Sequence, residues 1–267
     1  MSQFSAEWLG LRESHDIASR NPAVLAAVKS AFRDQVAISV LDLASGTGST
    51  LRALHACLPP RQEWTLVDND RAHLTQAASL AASFQAKVIT KTLDVVHGIE
   101  PAFAGSFHLV TVSALLDLVS SAWLDRLMVL VSARQLPIYA ALTYDGRAVV
   151  EPVDPLDVEI LASFNAHQRS NKGFGPALGP AAASEFAASL ARHGYVSVQG
   201  RSDWILGTND RAIQEAVFLT WAAAAEGPLT TAAAPEWLAR RRAHIVEGRS
   251  TLCVGHMDSF AYPMGMR

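Results

Sequence analysis

Residues 36–58 constrain the fold more than any other stretch of the chain. VAISVLDL is β-branched and almost continuously apolar, as a strand covered by helices on both faces must be. It runs into a glycine-bearing turn, ASGTGST, and then a helical segment, LRALHACL, closed by Pro59-Pro60. A strand that passes through glycines into a helix is the first unit of an open α/β sheet, and such sheets hold ligands in the crevice at the carboxyl edge of their strands. Gly46 and Gly48 carry no Cβ, so the backbone there can run close against a ligand and adopt positive φ.

The alternation repeats downstream. Strands are predicted over 64–67, 87–93, 108–112 and 138–142, with helices over 72–84 and 122–133, a pattern of βαβ crossovers around a parallel sheet. Two helices within 5–32, divided at Asn21-Pro22 where proline opens the second, precede the first strand. After Tyr144-Asp145-Gly146, in which Asp145-Gly146 reads as a turn pair, come a proline-bearing connection, VEPVDPLD, a helix over 157–168 and a polar loop, RSNKGFGPALGP. So long an excursion between sheet elements suits a lid or binding segment. Helices over 182–192, 211–225 and 235–247 and strands over 195–198 and 251–256 complete the pattern. No linker separates independent units, so 1–267 reads as one domain. Its parts are a helical cap (1–34), a cofactor-binding half (35–146), a lid or substrate insertion (147–181) and the completion of the sheet (182–267).

The chain has 267 residues and is 50% hydrophobic, enough for a full core. Its formal net charge of -3 and pI of about 6.3 leave no electrostatic footprint for nucleic acid. The one dense basic run, Arg240-Arg241-Arg242, reads as a solvated helix face. Cys57 and Cys253 lie far apart without metal-ligand companions, and read as buried thiols of a reducing compartment. His97, His108, His193, His244 and His256 are scattered, so no metal is expected. MSQFSAEWLG resembles no signal peptide and no apolar run reaches bilayer length. A cytoplasmic protein with no membrane partner is expected, as monomer or homodimer.

Two features narrow the cofactor. In the dinucleotide pattern GxGxxG/A the third small residue lets the helix pack close to a pyrophosphate; that position is Leu51 here, which disfavours an NAD-dependent oxidoreductase. Asp42, just before the turn, would repel a pyrophosphate but attract an ammonium or sulfonium. The run LDLASGTGS resembles motif I of class I S-adenosylmethionine-dependent methyltransferases, with Ala44 in place of the first glycine and Ser45, Gly46 and Gly48 completing the turn. Asp68, at the end of the second strand and followed by Asn69, stands about 20 residues beyond Gly48, where both groups of enzymes place the carboxylate that grips ribose. TLDV at 92–95 resembles motif II, which implies that Asp94 takes the adenine amino group and the Val95 backbone meets the ring. Ser113 and Ala114 resemble the segment that lies along the cofactor.

The resemblance spans residues 36–146. The stretches LLDLVS, LTYDGR and FNAHQRSNKGFGPALGP make the whole chain similar to a group of bacterial class I methyltransferases of undefined substrate. It implies an α/β fold: a Rossmann-like, doubly wound sheet of seven strands, the last antiparallel, with an N-terminal helical cap and an inserted helical lid. S-adenosylmethionine would be the methyl donor and S-adenosylhomocysteine the product.

For the acceptor, Asp117 follows the fourth strand near the methyl position and can deprotonate or orient a substrate. Tyr144, beyond the fifth strand, and His167, whose ordinary pKa lies near neutrality, are further catalytic candidates. Asn165, His167, Lys172 and Phe174 supply donors, an imidazole and an aromatic wall for the substrate. Arg20, in the cap, is placed to pair with the cofactor carboxylate. The fourth strand is not followed by the Asn/Asp-Pro-Pro-Tyr/Phe sequence of amino-group methylating subclasses, so a small-molecule acceptor with an O-, N- or C-nucleophile is favoured. The rival in another class is a non-catalytic binding or assembly module on the same fold.

Overall fold

The computed structural model describes residues 4–226 and 233–265. Among them one sheet is formed by β1 (Ala37–Leu43), β2 (Arg61–Asp68), β3 (Lys87–Thr92), β4 (Leu109–Ser113), β5 (Ile138–Glu151), β6 (Tyr195–Arg201), β7 (Trp204–Leu206) and β8 (Thr251–Pro263). Its order is β3-β2-β1-β4-β5-β8-β6, with β7 also pairing β8. β1 to β5 are mutually parallel, and β8 runs antiparallel to β5, β6 and β7. The strand order reverses between β1 and β4, which opens a crevice at their carboxyl ends.

Alternation along the strands builds two cores. On one face Leu41, Leu43, Val110, Val112 and Ile138 pack with Trp123, Leu124 and Met128 of α5 (Ser121–Ala133) and Phe186 and Leu190 of α7 (Ala182–Arg192). On the other, Ile38, Val40, Trp64, Leu66 and Tyr139 meet Val24, Val28 and Phe32 of α2 (Pro22–Phe32) and Leu74 and Ala77 of α4 (Arg71–Ala81). A third cluster, rich in aromatics, joins Tyr144, Trp204 and Leu252 to α6 (Asp157–Gln168), α8 (Arg211–Ala225) and α9 (Ala233–Val246). Local capping starts several helices. Asn21 accepts from the N–H groups of Ala23 and Val24 ahead of Pro22, Asp70 from Ala72 and His73, and Ser120 from Trp123. Ser5 caps α1 (Ala6–Ala18) in the same way.

Three departures from expectation have tertiary causes. β5 does not stop near 142 or turn at Asp145-Gly146; it continues to Glu151 and so crosses the boundary expected at 146. β8, itself longer than predicted, offers it a partner as far as Thr251, and the turn-forming residues are taken up in irregularities between Ala140 and Thr143 and between Tyr144 and Ala148. β7, only three residues long, has no predicted counterpart and exists as an edge on β8. The arginine run is not a solvated face. Arg241 is fully buried, pairs with Asp157, donates to the Pro152 carbonyl, and lies over the rings of Trp237 and Phe218 at 5.7 and 5.9 Å. Arg240 holds Asp154, and Arg242 alone makes an exposed pair, with Glu215.

Candidate active site

The crevice at the switch point is walled by the glycine turn after β1, by Asp68, Asn69 and Asp70 after β2, by Leu93 to Val96 after β3, and by Ser113 to Leu115 after β4. Leu9, Arg12 and Asp16 of α1 and Lys172 and Phe174 of the insertion also line it.

Asp68 shapes the turn. Its Oδ2 accepts the Gly46 N–H at 2.8 Å and its Oδ1 the Asp70 N–H at 2.9 Å, while the Ser45 N–H donates to the Val67 carbonyl. Gly46 and Gly48 take φ of +51° and +80°, and Ala44 in the first glycine position is also left-handed at +52°. A Cβ on Gly46 would stand 3.3 Å from Leu9 of α1, and one on Gly48 3.2 Å from Ala77 of α4, so both helices close on the turn because it is bare. Gly48 thus supports the turn from behind. Arg52 of α3 (Ser49–Leu54) ties the assembly together, pairing with Glu13 of α1 and donating to the Thr47 carbonyl. Leu51 is buried in the cluster that holds Leu66 and Ala77. Asp94 accepts the Val96 N–H, and Ala114 is left-handed with its N–H on the Ala141 carbonyl.

Of the predicted cofactor residues, Asp42 and Arg20 lie off this wall as Gly48 does, and the acceptor-side Asp117, Tyr144, Asn165 and His167 are not part of it either. Asp42, expected beside the ligand's positive charge, is wholly buried beneath the floor. Its Oδ1 accepts from Thr111 at 2.7 Å, and its Oδ2 has no partner. Burial pushes its carboxyl up to about 7 against the Thr111 hydrogen bond and the charge of Arg20. Arg20 is likewise interior. It donates to Ser113 Oγ at 3.1 Å and Tyr139 Oη at 3.4 Å, and Tyr139 donates to Asp258, whose carboxylate also accepts the Asn21 and Leu142 N–H groups. Arg20 thus touches the crevice only through Ser113. The arginine on the wall is Arg12, held by Asp16 through two hydrogen bonds (2.8 and 3.2 Å) with its guanidinium 5.2 Å from the Trp204 ring centre. Trp204 Nε1 donates in turn to Asp16. Of the cap residues Arg12, His15 and Arg20, sequence reasoning settled on Arg20 for the cofactor carboxylate; the Arg12–Asp16–Trp204 group leaves as a local trace only the Arg12/Asp16 spacing of four on one helix.

The acceptor-side candidates divide. Asp117 is buried, with an Oδ1 that has no hydrogen-bond partner. Burial raises its carboxyl to about 6, although backbone hydrogen bonds, one from Tyr144, and the charges of Arg12 and Lys172 oppose the rise. The Tyr144 hydroxyl donates to Asn165 Oδ1 at 2.8 Å, and Asn165 Nδ2 donates to the Gly146 carbonyl. Those two are committed to each other. Lys172 lines the crevice, and Phe174 meets Trp123 edge-on at 5.6 Å; Trp123 Nε1 donates to the Val95 carbonyl, which fastens the insertion to the end of β3. His167 is exposed, outside the crevice, beside Leu219 and Thr220 in a separate shallow concavity, with Lys172 Nζ 3.2 Å from its Nδ1. A histidine that sequence reasoning passed over, His256, is buried next to Tyr144 and Trp204 with Nδ1 unpartnered. Burial and the nearby Arg12 charge lower its imidazole to about 3, so it is neutral.

The site suits S-adenosylmethionine: carboxylates at the ends of β2 and β3, a bare turn beside them at the end of β1, and a buried Ser45 Oγ on the wall with no partner of its own. No described helix is long and apolar enough to cross a membrane, and no cluster of potential metal ligands occurs among the described residues. A doubly wound sheet with this crevice defines a Rossmann-like, class I methyltransferase fold. Residues 40–133 match the family model described as a methyltransferase domain.

Among solved structures the chain is similar to the YcgJ protein of Bacillus subtilis, at 14% identity over 92% of this chain and 100% of the other, TM-score 0.51. It is also similar to a cyclopropane-fatty-acyl-phospholipid synthase-like protein of Lactobacillus casei, at 11% identity over 97% and 94%, TM-score 0.52. A third is a methyltransferase of Thiobacillus denitrificans in complex with S-adenosylhomocysteine, at 16% identity over 97% and 99%, TM-score 0.47. No curated protein matches the sequence.

Proposed function

We propose that the protein methylates an O-, N- or C-nucleophile of a small molecule, with Asp117 receiving the proton. S-adenosylmethionine, when bound, supplies a methyl group whose bond to sulfur breaks, the electron pair remaining on sulfur, as the bond to the nucleophile forms. In this reading Asp68 and Asn69 hold the ribose, Asp94 and the Val95 backbone the adenine, and Ala44, Ser45, Gly46, Ser113 and Ala114 the amino-acid portion. Arg20 acts from behind Ser113, and Arg12 is the arginine available to a cofactor carboxylate. α1 and the insertion exclude water from the reacting atoms. Asp117 takes the proton on its free Oδ1, and its raised carboxyl leaves it basic enough to accept one near neutral pH.

The observation that carries the reading is the pair of carboxylates, Asp68 and Asp94, at adjacent strand ends along a crevice floored by the glycine turn. Calorimetry with S-adenosylmethionine, S-adenosylhomocysteine and NADH tests it. The two adenosyl compounds are expected to bind and NADH is not; heat from NADH alone, or from none of the three, overturns it.

A further inference from the structure

Two cationic side chains of Lys/Arg type line the crevice, and they differ in how their charge is met. The Arg12 guanidinium has its charge met by Asp16, which takes two of its N–H groups and leaves the others to the crevice. The Lys172 ammonium has as its direct partner the ring of His167, at 3.2 Å, and feels the charge of Asp117 without forming an ion pair with it. Burial lowers this ammonium, so its charge is costly where it stands and an anionic oxygen would relieve that cost.

The two cations come from different walls of the crevice, and the charges of both reach Asp117. Arg12 belongs to α1, which rests on the glycine turn through Leu9 and Gly46. Lys172 belongs to a loop docked at the end of β3, where Gly173 faces Val96 and Phe174 packs on Trp123. The apolar side chains of Leu118 and Phe174 line the same crevice, and Asp117 lies close enough for its charge to be felt.

We propose that the methyl acceptor carries an anionic oxygen group, a carboxylate or phosphate, seated on the Lys172 ammonium, with an apolar body against Phe174 and Leu118 and its reacting hydroxyl or amine at Asp117. The proposal rests on the methyl-transfer reading and adds the charge class of the acceptor. In the transfer itself the nucleophile's proton passes to Asp117 and its lone pair becomes the new bond to carbon; Lys172 holds the far end and takes no part in the bond changes.

Benzoate, benzylamine and benzyl alcohol, matched in size and differing in charge, serve as probes of protein saturated with S-adenosylhomocysteine, followed by calorimetry. Benzoate is expected to bind at least tenfold more tightly than the other two. Lys172→Met is expected to abolish that preference while leaving affinity for S-adenosylhomocysteine within twofold, and Lys172→Arg to restore it. Benzoate binding no better than benzyl alcohol, or a preference that survives Lys172→Met, overturns the proposal. So does a parallel loss of S-adenosylhomocysteine affinity in Lys172→Met, which would give the ammonium to the cofactor instead. Wild-type protein that fails to take up S-adenosylhomocysteine at all overturns the methyl-transfer reading, and this proposal with it; a discriminating failure with the cofactor bound overturns this proposal alone.

Discussion

Replacing Asp68 by asparagine keeps the shape of the side chain and still should disable the crevice. Each carboxylate oxygen accepts a backbone N–H, Oδ2 from Gly46 at 2.8 Å and Oδ1 from Asp70 at 2.9 Å, and the side chain is nearly buried. An amide has one acceptor, so either orientation turns an NH₂ against one of those N–H groups. A hydrogen bond to a charged group contributes about 1.5–3 kcal/mol, and the loss of one of the two together with a donor facing a donor should lower unfolding stability by about 2–3 kcal/mol. The Gly46 N–H holds the turn on which the cofactor rests, so S-adenosylhomocysteine affinity should fall roughly 10- to 100-fold, equivalent to about 1.4–2.8 kcal/mol. Asp68→Ala, which leaves space for water beside the freed N–H groups, should be no worse than Asp68→Asn. Urea unfolding and calorimetry on the three proteins decide the matter. An Asp68→Asn protein with unchanged midpoint and affinity within threefold of the wild type would show that the carboxylate does not brace the turn.

Other expectations follow from the same contacts. Asp157→Ala strands the fully buried Arg241 and should cost about 3–5 kcal/mol; a melting temperature unchanged by the substitution refutes the view that this pair anchors α9. Asp42, raised from 3.8 to about 7, is protonated in the native state and ionised in the unfolded chain between those values. The unfolded state then binds fewer protons, so stability falls as pH rises from about 4 to about 7 and levels off above that. Asp117, raised to about 6, adds a second share of the same sign. Each of Asp42→Asn and Asp117→Asn should therefore flatten the slope of stability against pH, and the double variant most of all; a slope equal to wild type in the double variant rules this out. In catalysis Asp117→Asn should lower S-adenosylhomocysteine formation from a cell extract of small molecules by roughly 10²- to 10⁴-fold. It should also remove the rise in rate as pH passes about 6, with cofactor affinity retained, and full activity in that variant would dismiss Asp117 as the base.

Much of this architecture is readable along the chain because its causes are local. The helices predicted over 157–168, 182–192 and 211–225 coincide with α6, α7 and α8, since periodicity and polar breaks act over a few residues. The sequence places Asp68, Asp94 and the glycine turn at the ends of successive strands, and the crevice wall contains them, because a parallel sheet brings every strand end to one edge. Strand length is different. β5 extends to Glu151 only because β8, more than a hundred residues later, runs beside it, and a turn pair such as Asp145-Gly146 carries no mark of that partner.

Charge placement shows the same division. From residue types alone Asp42 reads as a ligand-facing acid, Arg241 as solvated, and His167 as a candidate base. The depth of Asp42 depends on Thr111 beside it and Arg20 behind it, the burial of Arg241 on Trp237, Phe218 and Asp157, and the exposure of His167 on where α6 ends. Likewise the Arg12–Asp16–Trp204 group joins residues 188 positions apart. Sequence alone determined the order of the helices and of every strand but β7, and the residues at the strand ends, because backbone preference and hydrophobic period are short-range. Tertiary structure alone decided which charged groups meet water, ligand or one another, because solvation and Coulomb forces depend on distances in space that chain separation does not encode.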